Sequence, residues 1–213
     1  MRRTHACGRI TGMTIDPRRT AVLALHWQAN VIEPAGFFGP LLGEPVARSG
    51  VVEHAVRFHD AAAEAGVRLV FTRFTVPVGE GGLVRNTGFM SAVGDAQESF
   101  RPDAPGARLI EQVRRQAETG EVVDNQKLSG LAGNGVPEWL REHDIDTVFV
   151  TGVATNLTVE QTARHGADLG FTVHTVSDCV TAATDDAHTA SLADLDLATA
   201  GCLTSTQALQ LLH

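Results

Sequence analysis

Six short apolar runs, separated by stretches of helical period and turn residues, constrain this chain more than anything else in it. They cover residues 21–26, 68–74, 121–125, 147–153, 172–177 and 199–204. Four are continuous or nearly so in Val, Leu, Phe, Ala and Thr. A strand covered on both faces needs that composition, and parallel sheets sandwiched between helices are built from such strands. Helical patterns lie between the runs. Residues 51–65 bring Val52, Ala55, Val56, His59, Ala62 and Ala63 onto one face, and Gly66 stops them. Residues 156–169 repeat the pattern and close at Gly170. Residues 137–143 open on a proline suited to a first turn, and 185–195 come after Thr184, a capable N-cap. The alternation predicts an α/β chain: a Rossmann-like three-layer α/β/α fold with a mostly parallel six-stranded sheet.

One domain is expected over 20–213, because 213 residues with 43% apolar side chains suffice for a single large core. Residues 1–19 read as an irregular, basic lead-in. Residues 75–106 break the alternation with Pro77, Pro102, Pro105 and several glycines. Loops of that length are usually functional or disordered. With Phe89, Met90 and Phe100 inside it, the segment is expected to be a lid or a contact between subunits.

Composition excludes several roles. The 25 acidic and 17 basic side chains leave a net charge of −8, which repels phosphate backbones, so no nucleic-acid partner is expected. No apolar run reaches the roughly 18 residues of a membrane span. Arg2 and Arg3 lack the apolar stretch of a secretion signal behind them. Cys7, Cys179 and Cys202 are odd in number and carry no metal-ligand spacing, which fits a reducing, cytoplasmic setting. No paired His or Cys motif and no phosphate-binding glycine loop comes after a strand, so neither metal nor cofactor is expected.

In a doubly wound sheet, ligands sit at the carboxyl ends of the strands. The most specific text lies at one such end: Val150-Thr151-Gly152-Val153-Ala154-Thr155-Asn156-Leu157-Thr158-Val159. It resembles the isochorismatase-like, or cysteine hydrolase, superfamily, in which a strand ends in Gly-Val-x-Thr and the nucleophilic cysteine opens the next helix. Gly170-Phe171-Thr172-Val173 and Val176-Ser177-Asp178 resemble the same family, as does the first strand, which ends His26-Trp27-Gln28 where the family has Asp-x-Gln. The resemblance spans about 20–206 and is weakest over 75–120. It implies small-molecule hydrolysis in a homodimer or higher oligomer. It also implies a cis peptide after Gly152-Val153, with backbone N–H groups near Ala154 and Thr158 holding an oxyanion.

The departures carry the chemistry. His26 stands where the resemblance places the catalytic aspartate, and Thr158 stands at the cysteine position. Counting back four residues from Ser129-Gly130-Leu131 puts Asn125 at the lysine position, and a local shift would return Lys127 to it. A helix terminus can ionise a thiol, but its 0.3–1 kcal/mol or so cannot ionise an alcohol. Three readings are open. Thr158 is a nucleophile with His26 as its base, or His26 performs acid/base work without a covalent intermediate, or the chain is a catalytically silent binder or scaffold. An ordinary imidazole titrates near 6.5, which would suit it to donate a proton near neutrality. Trp27, Phe37, Phe38, Phe74 and Phe89 are expected to wall an apolar or aromatic ligand. Gln28, Thr155 and Asn156 are expected to give it polar handles. Arg73 and Arg85 are the candidate carboxylate binders.

Overall fold

The computed structural model describes residues 14–212, so the first thirteen residues of the lead-in, Cys7 among them, lie outside the described residues. The end of the lead-in is tied to the fold. The Ile15 N–H donates to the Leu211 carbonyl at 2.7 Å, and Pro17–Arg19 form a 3-10 turn capped by Asp16.

The strands are β1 Thr20–Leu25, β2 Arg68–Phe74, β3 Glu121–Asn125, β4 Thr147–Val153, β5 Thr172–Thr181 and β6 Cys202–Leu203. All neighbours are parallel, in the order β3-β2-β1-β4-β5-β6. The order runs outward from β1 through β2 to β3, then restarts at β4 on the other side. The switch point therefore lies between β1 and β4, and a crevice is expected above their carboxyl ends.

Strand alternation fills two cores. Val22, Ala24, Phe71 and Phe149 face one layer, with α1 Ala29–Ile32, α2 Gly39–Ser49, α3 Val51–Glu64, α5 Glu111–Thr119 and α9 Ser205–Leu211. Ala21, Leu23, Leu25, Val70 and Val150 face the other, with α6 Val136–Glu142, α7 Glu160–Asp168 and α8 Asp185–Ala198. Every residue of β1 and β4 is buried. Gly152 is needed where these two strands approach, because its φ is 130° and a Cβ there would lie 2.2 Å from the Leu25 carbonyl oxygen.

Several boundaries differ from expectation. β5 runs on to Thr181 and pairs with β4 again past a register shift between Val150 and Gly152. β6 shrinks to two residues. The helix expected from 156 opens as a π-helical turn over Thr155–Val159 before α7 begins. Residues 75–106 are not a bare loop. They contain α4 Gly88–Asp95 and a 3-10 turn at Gln97–Phe100. Val76, Met90, Val93 and Phe100 pack with Phe74 into a third apolar cluster over the strand ends. Arg101 donates to the carbonyls of Val76 and Pro77 and fixes the segment's return.

Candidate functional site

A cavity of about 120 Å³ opens at the switch point. Its floor comes from the strand ends: His26 after β1, Phe74 ending β2, Val153 and Ala154 ending β4, and Ala183 after β5. Its walls come from Phe38, Leu41 and Leu42 of the α2 region, Phe89 and Val93 of α4, and Leu128. Among the described residues, no acidic side chain, lysine or arginine lines it.

His26 enters because β1 ends there in a left-handed turn, φ 57°, while its N–H still donates to the Thr72 carbonyl at 3.1 Å. The ring is edge-on to Phe74 at 6.2 Å and is almost wholly buried. Its Nε2 has no hydrogen-bond partner among the described residues. Burial among hydrocarbon disfavours the charged ring and pushes its pKa down to about 4. At neutral pH the resting imidazole is therefore neutral. This corrects the expectation of an unperturbed ring that donates a proton near pH 7 as an imidazolium.

The opposite wall is the opening of the α7 segment. The Val153–Ala154 peptide is cis. The Ala154 carbonyl accepts from the N–H groups of Leu157 and Val159, both at 3.2 Å, which closes the π turn. Ala154, Asn156, Leu157 and Thr158 face the cavity. No side chain caps this turn among the described residues. Its first N–H groups therefore bring partial positive charge to the site. The Thr158 hydroxyl donates to the Leu128 carbonyl at 2.7 Å. His26 and Thr158 thus share one hollow, but the threonine proton goes to a backbone oxygen.

Other residues expected here lie elsewhere. Trp27 is fully buried in the core beside His59, because the turn at His26 sends the next side chain under the sheet. Gln28 is a clamp, not a ligand handle. Its amide donates to the carbonyls of Phe74 and Ala107, both at 3.0 Å, and accepts from the Phe74 N–H. Phe37 packs outside on Phe38 and Phe100. Thr155 turns away to His188 at 2.9 Å. Asn125 is buried and engaged with the loop after it, donating to the carbonyls of Lys127 and Ser129. Lys127 does not return to the cavity; its ammonium donates to the Gly82 carbonyl. Arg73 pairs with Asp124, and Arg85 with Glu80 and Asp95.

Cys179 is buried in the core, and burial pushes its thiol well above the ordinary range. Cys202 is pushed up to about 11 by the same cause. Neither lines the cavity. Among the described residues no group of three or more His, Cys, Asp or Glu is placed to hold a metal ion. The sequence gives no sign of Leu41, Leu42, Val93, Leu128 and Ala183 as lining residues, since aliphatic side chains carry no chemical signature.

Residues 20–207 match the profile of the isochorismatase domain. The chain belongs to the isochorismatase family. An uncharacterized isochorismatase family protein of Bacillus subtilis, YwoC, is 24% identical over 84% of this chain and 87% of its own length. A crystal structure of a cysteine hydrolase from Pseudomonas syringae pv. phaseolicola superposes with a TM-score of 0.81 at 24% identity, covering 93% of this chain and 94% of that one. The nicotinamidase PncA of Bacillus subtilis gives a TM-score of 0.72 at 17% identity, over 87% and 99% of the two chains. These likenesses carry the fold: one parallel six-stranded sheet flanked by helices.

Proposed function

We propose that this isochorismatase-family chain acts on a small, uncharged, apolar or aromatic molecule, with neutral His26 as the general base and with no covalent intermediate. The single observation that carries this reading is the composition of the cavity wall. It is mostly hydrocarbon, its one titratable side chain is His26, and it holds no formal charge at neutral pH. An apolar cavity of about 150 Å³ holds a benzene ring, so the 120 Å³ hollow fits a group of similar or slightly smaller size. A carboxylate would lose its hydration there and find no cation.

The chemistry rests on charge balance. When His26 takes a proton from the ligand, or from a water that attacks it, an imidazolium forms in an apolar wall. Alone, that charge is unfavourable. It becomes tolerable when the matching negative charge develops on a ligand oxygen facing the N–H groups of the 154–158 turn. Hydrolysis by activated water, and a rearrangement or cyclisation begun by proton abstraction, both fit. A thiol is not required, and the segment over 75–106 serves as a lid through Phe89 and Val93.

A second reading, a silent binder, draws on one observation: the Thr158 hydroxyl donates to Leu128, so no proton is offered from Thr158 to His26 at rest. Two measurements separate these readings. Binding of benzamide with exclusion of benzoate supports the neutral-ligand cavity, and equal binding of both sinks it. Turnover over neutral aromatic esters, amides and enol ethers should fall at least 100-fold in His26→Asn and persist in Thr158→Val. Loss on Thr158→Val alone restores the nucleophile, and binding without turnover leaves the silent reading standing.

A further inference from the structure

A second cavity, of about 520 Å³, lies on the far side of Leu128 from the first. It is walled by Val84, Asn86 and Thr87 on one side and by Lys127, Ser129 and the α7 residues Gln161 and His165 on the other. Polar side chains share its wall with Val84, Met90, Leu128 and Ala132. Hydrogen-bond donors line it. Among the described residues, Lys127 is its one permanently charged side chain, and no acidic side chain lines it. On a chain of net charge −8, a cavity whose charged lining is a single lysine is a place where an anion meets no repelling carboxylate.

Two contacts order its polar groups. The Lys127 ammonium is anchored by one hydrogen bond to the Gly82 carbonyl, which leaves two of its three N–H groups for a ligand. The Ser129 hydroxyl lies 2.9 Å from His165 Nδ1 and accepts the Leu131 N–H at 3.2 Å. That pair fixes the orientation of the His165 ring and leaves Nε2 for a ligand. None of these groups takes part in the chemistry proposed at His26. The volume falls within the usual range for small-molecule sites.

We propose that this second cavity binds a small organic or inorganic anion, a carboxylate or a phosphate. Lys127 supplies the charge, and His165 and the Gln161 and Asn86 amides orient the oxygens. The proposal is independent of the reading of the His26 cavity and survives if that reading fails. The test is an amide-resolved NMR titration with inorganic phosphate and, separately, with malonate, at constant ionic strength against chloride. Saturable shifts are expected at Val84, Lys127, Ser129, Gln161 and His165. Lys127→Met should weaken the binding at least tenfold. Arg114→Met, which removes an equal charge from the Arg114–Glu111 surface pair, should leave it unchanged. Saturation by phosphate alone marks a phosphate site, and saturation by malonate alone a carboxylate site. Saturation by neither anion, or equal weakening by both substitutions, overturns the proposal.

Discussion

Replacing His26 by Asn should flatten the acid limb of this protein's stability curve, and the size of the effect can be worked out. In the native chain, burial holds His26 at about 4, against an ordinary value of 6.5. The unfolded chain therefore takes up a proton that the native chain refuses. The stabilisation is complete above pH 6.5 and drains as pH falls from there toward 4. At pH 5 the unfolded histidine lies about 1.5 pH units below its midpoint, and at ~1.36 kcal/mol per unit the loss is ~2 kcal/mol. His59, fully buried and pushed down to about 3 by the same desolvation, adds a loss of similar size, so the pair removes ~4 kcal/mol. Asn is the suitable replacement because it tolerates the left-handed backbone that His26 adopts. Urea unfolding at pH 7.5 and pH 5.0 is the assay. Carboxylates contribute equally to both proteins and cancel in the comparison. The variant should lose ~2 kcal/mol less than the parent between the two pH values. An equal loss in both refutes a neutral, desolvated ring at position 26, and the proposed base falls with it.

Gln28→Leu should destabilise the fold by ~3 kcal/mol or more in denaturant titration, since one buried N–H and two carbonyls lose their partner; a change below ~1 kcal/mol would contradict the clamp. Gly152→Ala should lower stability by at least ~2 kcal/mol, because the added carbon meets the Leu25 carbonyl at a backbone angle hostile to side chains. Iodoacetamide at pH 7.5 should label Cys179 and Cys202 of the native protein far more slowly than after unfolding, as mass mapping will show. Rapid native labelling at either would disprove the raised thiols.

The fold is legible in the sequence because its signal is redundant. Each central strand repeats the same apolar composition, and two-sided burial admits little else. Boundaries are less legible where the tertiary structure sets them. β5 extends past its apolar run only because β4 re-pairs with it beyond a register shift. The α2 helix leaves no clear pattern, since Pro40 lies in its first turn and Pro45 inside it, while Gly39 and Gly43 blur its period. The helix in 75–106 is hidden likewise by Gly88 and Gly94 within it. At the site, the sequence points to positions 26 and 158, because a strand end and a helix start are fixed by local pattern. It fails for Trp27 and Gln28. Their direction depends on the left-handed turn at His26, and a histidine gives no advance sign of that conformation.

On the proposed reading, the residues at 26, 125 and 158 make sense together and not singly. The family resemblance places an acid, a cation and a thiol there, three groups whose charges support one another. Remove the thiol, and a lysine beside an apolar hollow becomes an unmatched charge, which is unfavourable by several kcal/mol or so when buried. Asn125, which the residue count puts at that position, is neutral and engaged with backbone through both ends of its amide. An aspartate left at 26 would likewise face hydrocarbon; a neutral imidazole does not suffer that penalty until it receives a proton. Thr158 keeps the branch and size that fill the turn and gives its hydrogen to Leu128. Piecemeal decay would be expected to leave at least one buried charge or hydroxyl without a partner among these positions. Instead the Asn125 amide and the Thr158 hydroxyl are engaged, and the group left without a partner is the His26 ring, whose Nε2 is enclosed. On the proposed reading, this pattern fits a site converted to neutral ligands better than a hydrolase that lost its parts one at a time.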